Sequence, residues 1–126
     1  MIAGTVRDEI ELIVPLELVD AADQRQRIDF VLDSGFTGFL SLSSALVRQL
    51  GLSSRGIQKG RLADGTASVF RLVTVNVIWN GTPRTIEAQI LGEPLIGTRM
   101  LKGYELRAKF ELNGEVAIGE LPPKTQ

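Results

Sequence analysis

Asp33, Ser34 and Gly35 stand directly after the apolar run Phe30-Val31-Leu32. A carboxylate delivered by the end of a buried strand, next to a small hydroxyl and a glycine, is equipped to take and return protons at a reacting centre. The chain contains neither His nor Cys. That removes Ser-His-Asp triads, Cys-His nucleophiles, thiolate metal sites and imidazole bases together. If the chain catalyses a reaction, carboxylates are its agents.

The same tripeptide is also an ordinary turn, since Asp, Ser and Gly all favour chain reversal at the end of a strand. Its neighbours in the chain argue for more. Phe36-Thr37-Gly38-Phe39-Leu40 returns at once to apolar sequence, so Asp33 lies on a tight loop between two buried segments, where a charge without a purpose is costly. Gly35 is expected there for a positive φ or for close approach of two backbones.

The elements that must hold this loop read mainly as strands. Ile10, Leu12, Val14, Leu16 and Leu18 recur at every second position, as do Val73, Val75, Val77 and Trp79, then Ile86, Ala88 and Ile90, then Leu106, Ala108, Phe110 and Leu112. A period of two predicts strands with one buried face. Asp64-Gly65, Asn80-Gly81 and Asn113-Gly114 predict tight hairpin turns, and further loops fit around Asp20 to Gln24 and at Gly92-Glu93-Pro94. One segment departs from the pattern. Ser43 is a hydroxyl N-cap candidate, Leu42, Leu46 and Leu50 recur at helical spacing, and Gly51 comes next, which predicts a short helix over 43–50. A second helical turn is expected at Thr98 to Leu101, after the apolar pair Leu95-Ile96 and Gly97. The hairpin spanning Gly60 to Phe70 is suited to act as a flap over a cleft walled by residues such as Phe36, Leu62, Val69 and Ile96.

Composition narrows the classes of function. At 126 residues, 44% apolar and 23% charged, the chain is expected to be one globular domain. The net charge is −1 and Lys and Arg nowhere form a block, so neither nucleic acid nor a membrane is expected as a partner. No secretory h-region or membrane-spanning run is legible, and the expected location is cytoplasmic.

Val31-Leu32-Asp33-Ser34-Gly35-Phe36-Thr37-Gly38-Phe39-Leu40, Leu62-Ala63-Asp64-Gly65 and Pro94-Leu95-Ile96-Gly97, in this order, resemble the single-domain, retropepsin-like aspartic proteases of bacteria (clan AA). The resemblance runs from the strand at Glu9 to a closing strand near Ile118. It implies an all-β, acid-protease (retropepsin-like) closed β-barrel with one or two short helices over residues 1–126. It also implies an aspartic endopeptidase that works without cofactor or metal as a homodimer on a peptide or protein substrate. Asp33 would be the catalytic residue, one per chain. Ser34 would tie the two active-site loops together across the dimer axis, Gly35 would let the backbones approach, and Leu62, Ala63, Asp64 and Gly65 would form the flap over the substrate. The chain departs from retroviral members at four points: Ser34 replaces Thr, Phe36 replaces Ala, Thr98 separates Gly97 from Arg99, and Leu121 to Gln126 do not read as the terminal strands that bind retroviral dimers.

Other readings accompany this one. The fold could hold a peptide without cutting it, or a small barrel of unrelated function could carry Asp33-Ser34-Gly35 as a turn. Asp64 could in principle supply a second carboxylate within one chain, although an Asp-Gly turn accounts for it more simply.

Overall fold

The computed structural model describes residues 1–61 and 65–124, with only the backbone course described at 54–61 and 67–70. Leu62, Ala63 and Asp64 of the expected flap therefore lie outside the described residues. The elements in chain order are β1 (Ile2–Arg7), β2 (Glu11–Val19), β3 (Arg25–Leu32), β4 (Leu40–Leu42), α1 (Ser44–Leu50), β5 (Ser54–Arg61), β6 (Ala67–Trp79), β7 (Thr82–Ile90), β8 (Leu95–Ile96), a 3₁₀ turn (Thr98–Leu101), β9 (Tyr104–Ala108) and β10 (Glu115–Glu120).

Alternation builds most of these strands. Leu12, Val14, Leu16 and Leu18 of β2 all turn inward, as do Val73, Val75, Val77 and Trp79 of β6 and Ile86 and Ala88 of β7. Together with Phe30, Leu40, Leu42, Ile96, Met100 and Ile118 they make one apolar core. Burying each such side chain contributes about 1.5–3 kcal/mol, and that term holds the strand register, because a one-residue slip would turn every one of them to water.

Six strands close on themselves in the order β6-β7-β4-β8-β3-β2, with β2 returning to β6 through Glu17↔Ile78 and Leu18↔Val77. The result, among the described residues, is an all-β protein with a closed six-stranded barrel and one short α-helix. The remaining strands extend the sheet: β5 pairs with β6, while β1, β10 and β9 continue from the N-terminal half of β2. The helix has the caps its sequence requires. Ser43 accepts a hydrogen bond from the Leu46 N–H at 3.1 Å, and Gly51 closes the other end at φ 70°, where a side chain would be strained. Among the described residues no helix is long and apolar enough to cross a membrane.

Two expected strands are shorter than the alternation suggests. Ile10 is 72% exposed, because the chain reverses through Asp8 and Glu9 at φ 53° and 65° and β2 begins only at Glu11. Phe110 and Leu112 are 61% and 70% exposed, because β9 ends at Ala108. The chain must then loop back so that β10 can pair with both β9 and β1. Apolar alternation persists there with no second layer to cover it. Asn80-Gly81 is the expected two-residue turn, with both φ values positive, whereas at Asn113-Gly114 only Asn113 has a positive φ and the pair belongs to a longer loop.

The β2–β3 turn is organised by one carboxylate. Asp20 accepts hydrogen bonds from the amides of Ala22 and Gln24 at 2.9 and 2.8 Å and from Gln26 Nε2 at 2.8 Å. These bonds, that from Gln24 foremost, favour the charged form and lower the pKa below 3.8. A group with a depressed folded-state pKa stabilises above its unfolded value and stops doing so as pH falls through the folded one. Asp20→Asn should therefore melt at a lower temperature than wild type at pH 6. The gap should close as both proteins are taken below pH 3.8, which melting curves followed by circular dichroism across pH would show. A gap independent of pH would mean that the charge is not what the turn uses.

Candidate functional site

β3 carries Phe30 into the core and delivers Asp33 at its end. The position of that end is set by β8, which lies between the strand before the Asp33 loop and the strand after it. β8 runs parallel to β3, through Val31↔Leu95 and Leu32↔Ile96, and antiparallel to β4, through Leu40↔Ile96. The amide of Val31 donates to the Pro94 carbonyl at 3.1 Å and that of Asp33 to the Ile96 carbonyl at 3.0 Å. Two residues of strand thus brace both limbs of the loop.

Within the loop the chain turns tightly. The Phe36 amide donates to the Asp33 carbonyl at 3.1 Å, and the Gly35 amide donates to Asp33 Oδ1 at 2.9 Å. Asp33 is half-buried, while Ser34 and Gly35 are exposed. Oδ2 is without a hydrogen-bond partner among the described residues, and no Lys or Arg described forms an ion pair with the carboxylate. Of the two reasons expected for a glycine at 35, the positive φ is not found. A Cβ there would lie 3.2 Å from Asp33 Oδ1, so within one chain a side chain would press on the carboxylate rather than strain the backbone.

The close approach occurs at the other glycines. Gly97, Thr98 and Arg99 donate backbone hydrogen bonds to the carbonyls of Phe39, Phe36 and Gly38 at 2.9, 2.9 and 3.2 Å. A Cβ on Gly97 would sit 2.0 Å from the Gly38 oxygen. The backbone of Gly97 is plainly extended, at φ −91° and ψ 168°, so glycine is needed here for space and not for conformational freedom. Ile96, expected to wall a cleft, is fully buried in the core, because this crossing draws β8 inside.

A cleft of about 490 Å³ opens on the far side of the loop, between Thr37–Phe39 and β7. It exists because β4 pairs with β7 only from Leu40↔Ala88 to Leu42↔Ile90, which leaves residues 84–87 of β7 with β6 on one edge and, among the described residues, no strand on the other. Asp33 does not line this cleft. Phe39, Arg84, Glu87 and Arg99 do. The Arg84 guanidinium carbon lies 5.3 Å from the centre of the Phe39 ring and that of Arg99 lies 5.8 Å from it, both within cation–π range. Sequence reasoning did not single out Arg84 or Phe39. The available signal was parity, since Arg84 shares the inward register of Ile86 and Ala88, where a charge is out of place.

Among the described residues nothing assembles a second carboxylate against Asp33. Glu11, level with Asp33 by extension of the Ile13↔Val31 register, is held by Arg7 at 2.9 Å. Asp64 lies outside the described residues, whereas Gly65 is described, at φ 88°. No group of three or more acidic side chains is arranged to hold a metal ion among the described residues. Comparison with protein-family models, curated proteins and solved structures found no match to this chain.

Gly97→Ala should lower stability by at least about 3 kcal/mol, the upper range for an overpacked core, because a carbonyl must move to admit the methyl. Gly92, with open space around its Cβ position, serves as the control, and Gly92→Ala should stay within about 0.5 kcal/mol of wild type. Chemical denaturation of the three proteins reads both. Equal stabilities would mean that the Asp33 loop does not depend on the crossing.

Proposed function

We propose that this chain is an aspartic endopeptidase on a retropepsin-like barrel, with its active site completed by the Asp33 of a second, identical chain. The observation that carries this reading is the presentation of Asp33. A half-buried carboxylate stands at the end of a core strand, on a loop clamped along both limbs and crossed by a glycine-only contact. An ordinary surface turn needs none of that bracing.

A second observation supports association. The ends of β1 and β3 and the starts of β2 and β10 lie at the same end of the sheet by their register. The exposed apolar side chains Ile10, Phe110 and Leu112 stand just before or after those strand ends, so the Asp33 end carries an uncovered apolar rim suited to a second copy. In such a dimer Ser34, exposed beside Asp33, is placed to bond across the axis.

The chemistry rests on charge. Two carboxylates about 3 Å apart cannot both ionise, so the pair shares one proton and titrates as a unit. The ionised member takes a proton from a water held between them. That water attacks the scissile carbonyl carbon while the neutral member donates its proton to the carbonyl oxygen. Collapse of the tetrahedral intermediate, with a proton passed to the departing amine, breaks the C–N bond. The substrate lies extended, pairing its backbone as an added strand, beneath the hairpin whose arms pair down to Arg61↔Ala67, the segment from which the resemblance draws its flap.

One observation favours the runner-up, a peptide-binding module that does not cut: the cleft of about 490 Å³ lies beside the Asp33 loop and is not lined by the carboxylate. A mixed peptide library incubated from pH 3.5 to 7 with wild type and Asp33→Asn separates the two. Asp33→Asn should fold and dimerise normally yet lose at least about 100-fold in cleavage rate, the lower range for removal of a general acid–base. Equal turnover would remove Asp33 from the mechanism. No cleavage by a wild type shown to be dimeric by sedimentation would leave the binding module.

A further inference from the structure

Arg84 and Arg99 come from different elements, β7 and the 3₁₀ turn, yet converge on the same Phe39 ring. Two like charges brought to one side chain repel each other, and among the described residues neither is paired with a carboxylate. Cation–π attraction to the ring offsets part of that repulsion. A guanidinium lying against an aromatic face keeps its N–H edge free, and that edge matches a carboxylate with two parallel hydrogen bonds. Glu87 lines the same cleft but occupies the opposite register of β7 from Arg84 and is exposed to water. Two positive charges less one negative leave the lining with a net charge of +1, which suits a singly charged carboxylate better than a doubly charged phosphate.

The backbone around the cleft points to a peptide as the bearer of that carboxylate. Residues 84–87 of β7 present an edge without a second strand among the described residues, and an extended chain can hydrogen-bond along such an edge. Thr37, which lines the cleft, is four residues from Asp33, so its Cα lies no more than about 14 Å from that of Asp33. That distance corresponds to about four residues of extended peptide.

We propose that the cleft between Phe39 and β7 is a subsite for an Asp or Glu side chain of an extended peptide, gripped by Arg84 and Arg99, in a cleft whose near edge lies about four extended residues from Asp33. The inference rests on the reading of Asp33 as the cutting residue only for its distance from the scissile bond, and not for the binding itself.

The test is an array of immobilised octapeptides, each carrying Glu or its uncharged isostere Gln at one position, probed with full-length Asp33→Asn protein and separately incubated with wild type. Glu peptides should be retained about tenfold more tightly than their Gln counterparts. Arg84→Gln and Arg99→Gln should each reduce that preference, and Arg99→Glu should shift it toward Lys-containing peptides. Arg99 is exposed, so its variants should fold, and circular dichroism checks all of them. Equal retention of Glu and Gln peptides, a preference untouched by both Arg→Gln changes, or no retained peptide at all would overturn the subsite. Cleavage by wild type without an acidic preference would defeat the subsite and spare the peptidase. Retention of Glu peptides without cleavage would do the reverse.

Discussion

The close crossing of Gly97 over Gly38 is the constraint on which the site depends. Backbone at van der Waals contact allows three amide–carbonyl bonds between residues 97–99 and 36–39, and these decide where the limbs of the Asp33 loop can go. The two strand residues of β8 reach the core between β3 and β4 only because nothing larger than hydrogen projects at their end. Carboxylate placement and burial of Ile96 are both consequences of that one steric fact.

The crossing also divides the molecule's chemistry into two neighbouring places. On one side Asp33 stands half-buried, with one oxygen tied to the Gly35 amide. On the other, Phe39 gathers the two guanidiniums of Arg84 and Arg99. A loop of seven residues, 33–39, joins them without a flexible linker, so a molecule spanning both would meet a fixed spacing. Fixed spacing is what lets binding at one point orient a reacting bond at another. The apolar rim of Ile10, Phe110 and Leu112 belongs to the same end of the sheet, where a partner copy would shield it from water.

Much of the framework is legible in the chain alone. The inward residues of β6 and β7 alternate, as do those of β2 apart from the buried Ile13, and hydrophobic burial makes that pattern decisive. Ser43 and Gly51 mark the helix because each meets a local hydrogen-bonding or conformational demand. Asp33 stands out because a carboxylate directly after a buried run is unusual. The pattern misleads at Ile10, Phe110 and Leu112, where alternation continues past the strand ends. Periodicity records which residues could share a face, not whether another layer arrives to cover it.

The sequence by itself determined the strand faces, the helix caps, the Asn80-Gly81 turn and the candidacy of Asp33, since each depends on interactions within a few residues or on a two-residue period. Only the tertiary structure decided the barrel closure of β2 on β6, the insertion of β8 between β3 and β4, the need for glycine at 97 and the meeting of Arg84 with Arg99 on Phe39. Those contacts join residues far apart in the chain. Their geometry is set by how the strands close around a shared core, a constraint that no local pattern carries.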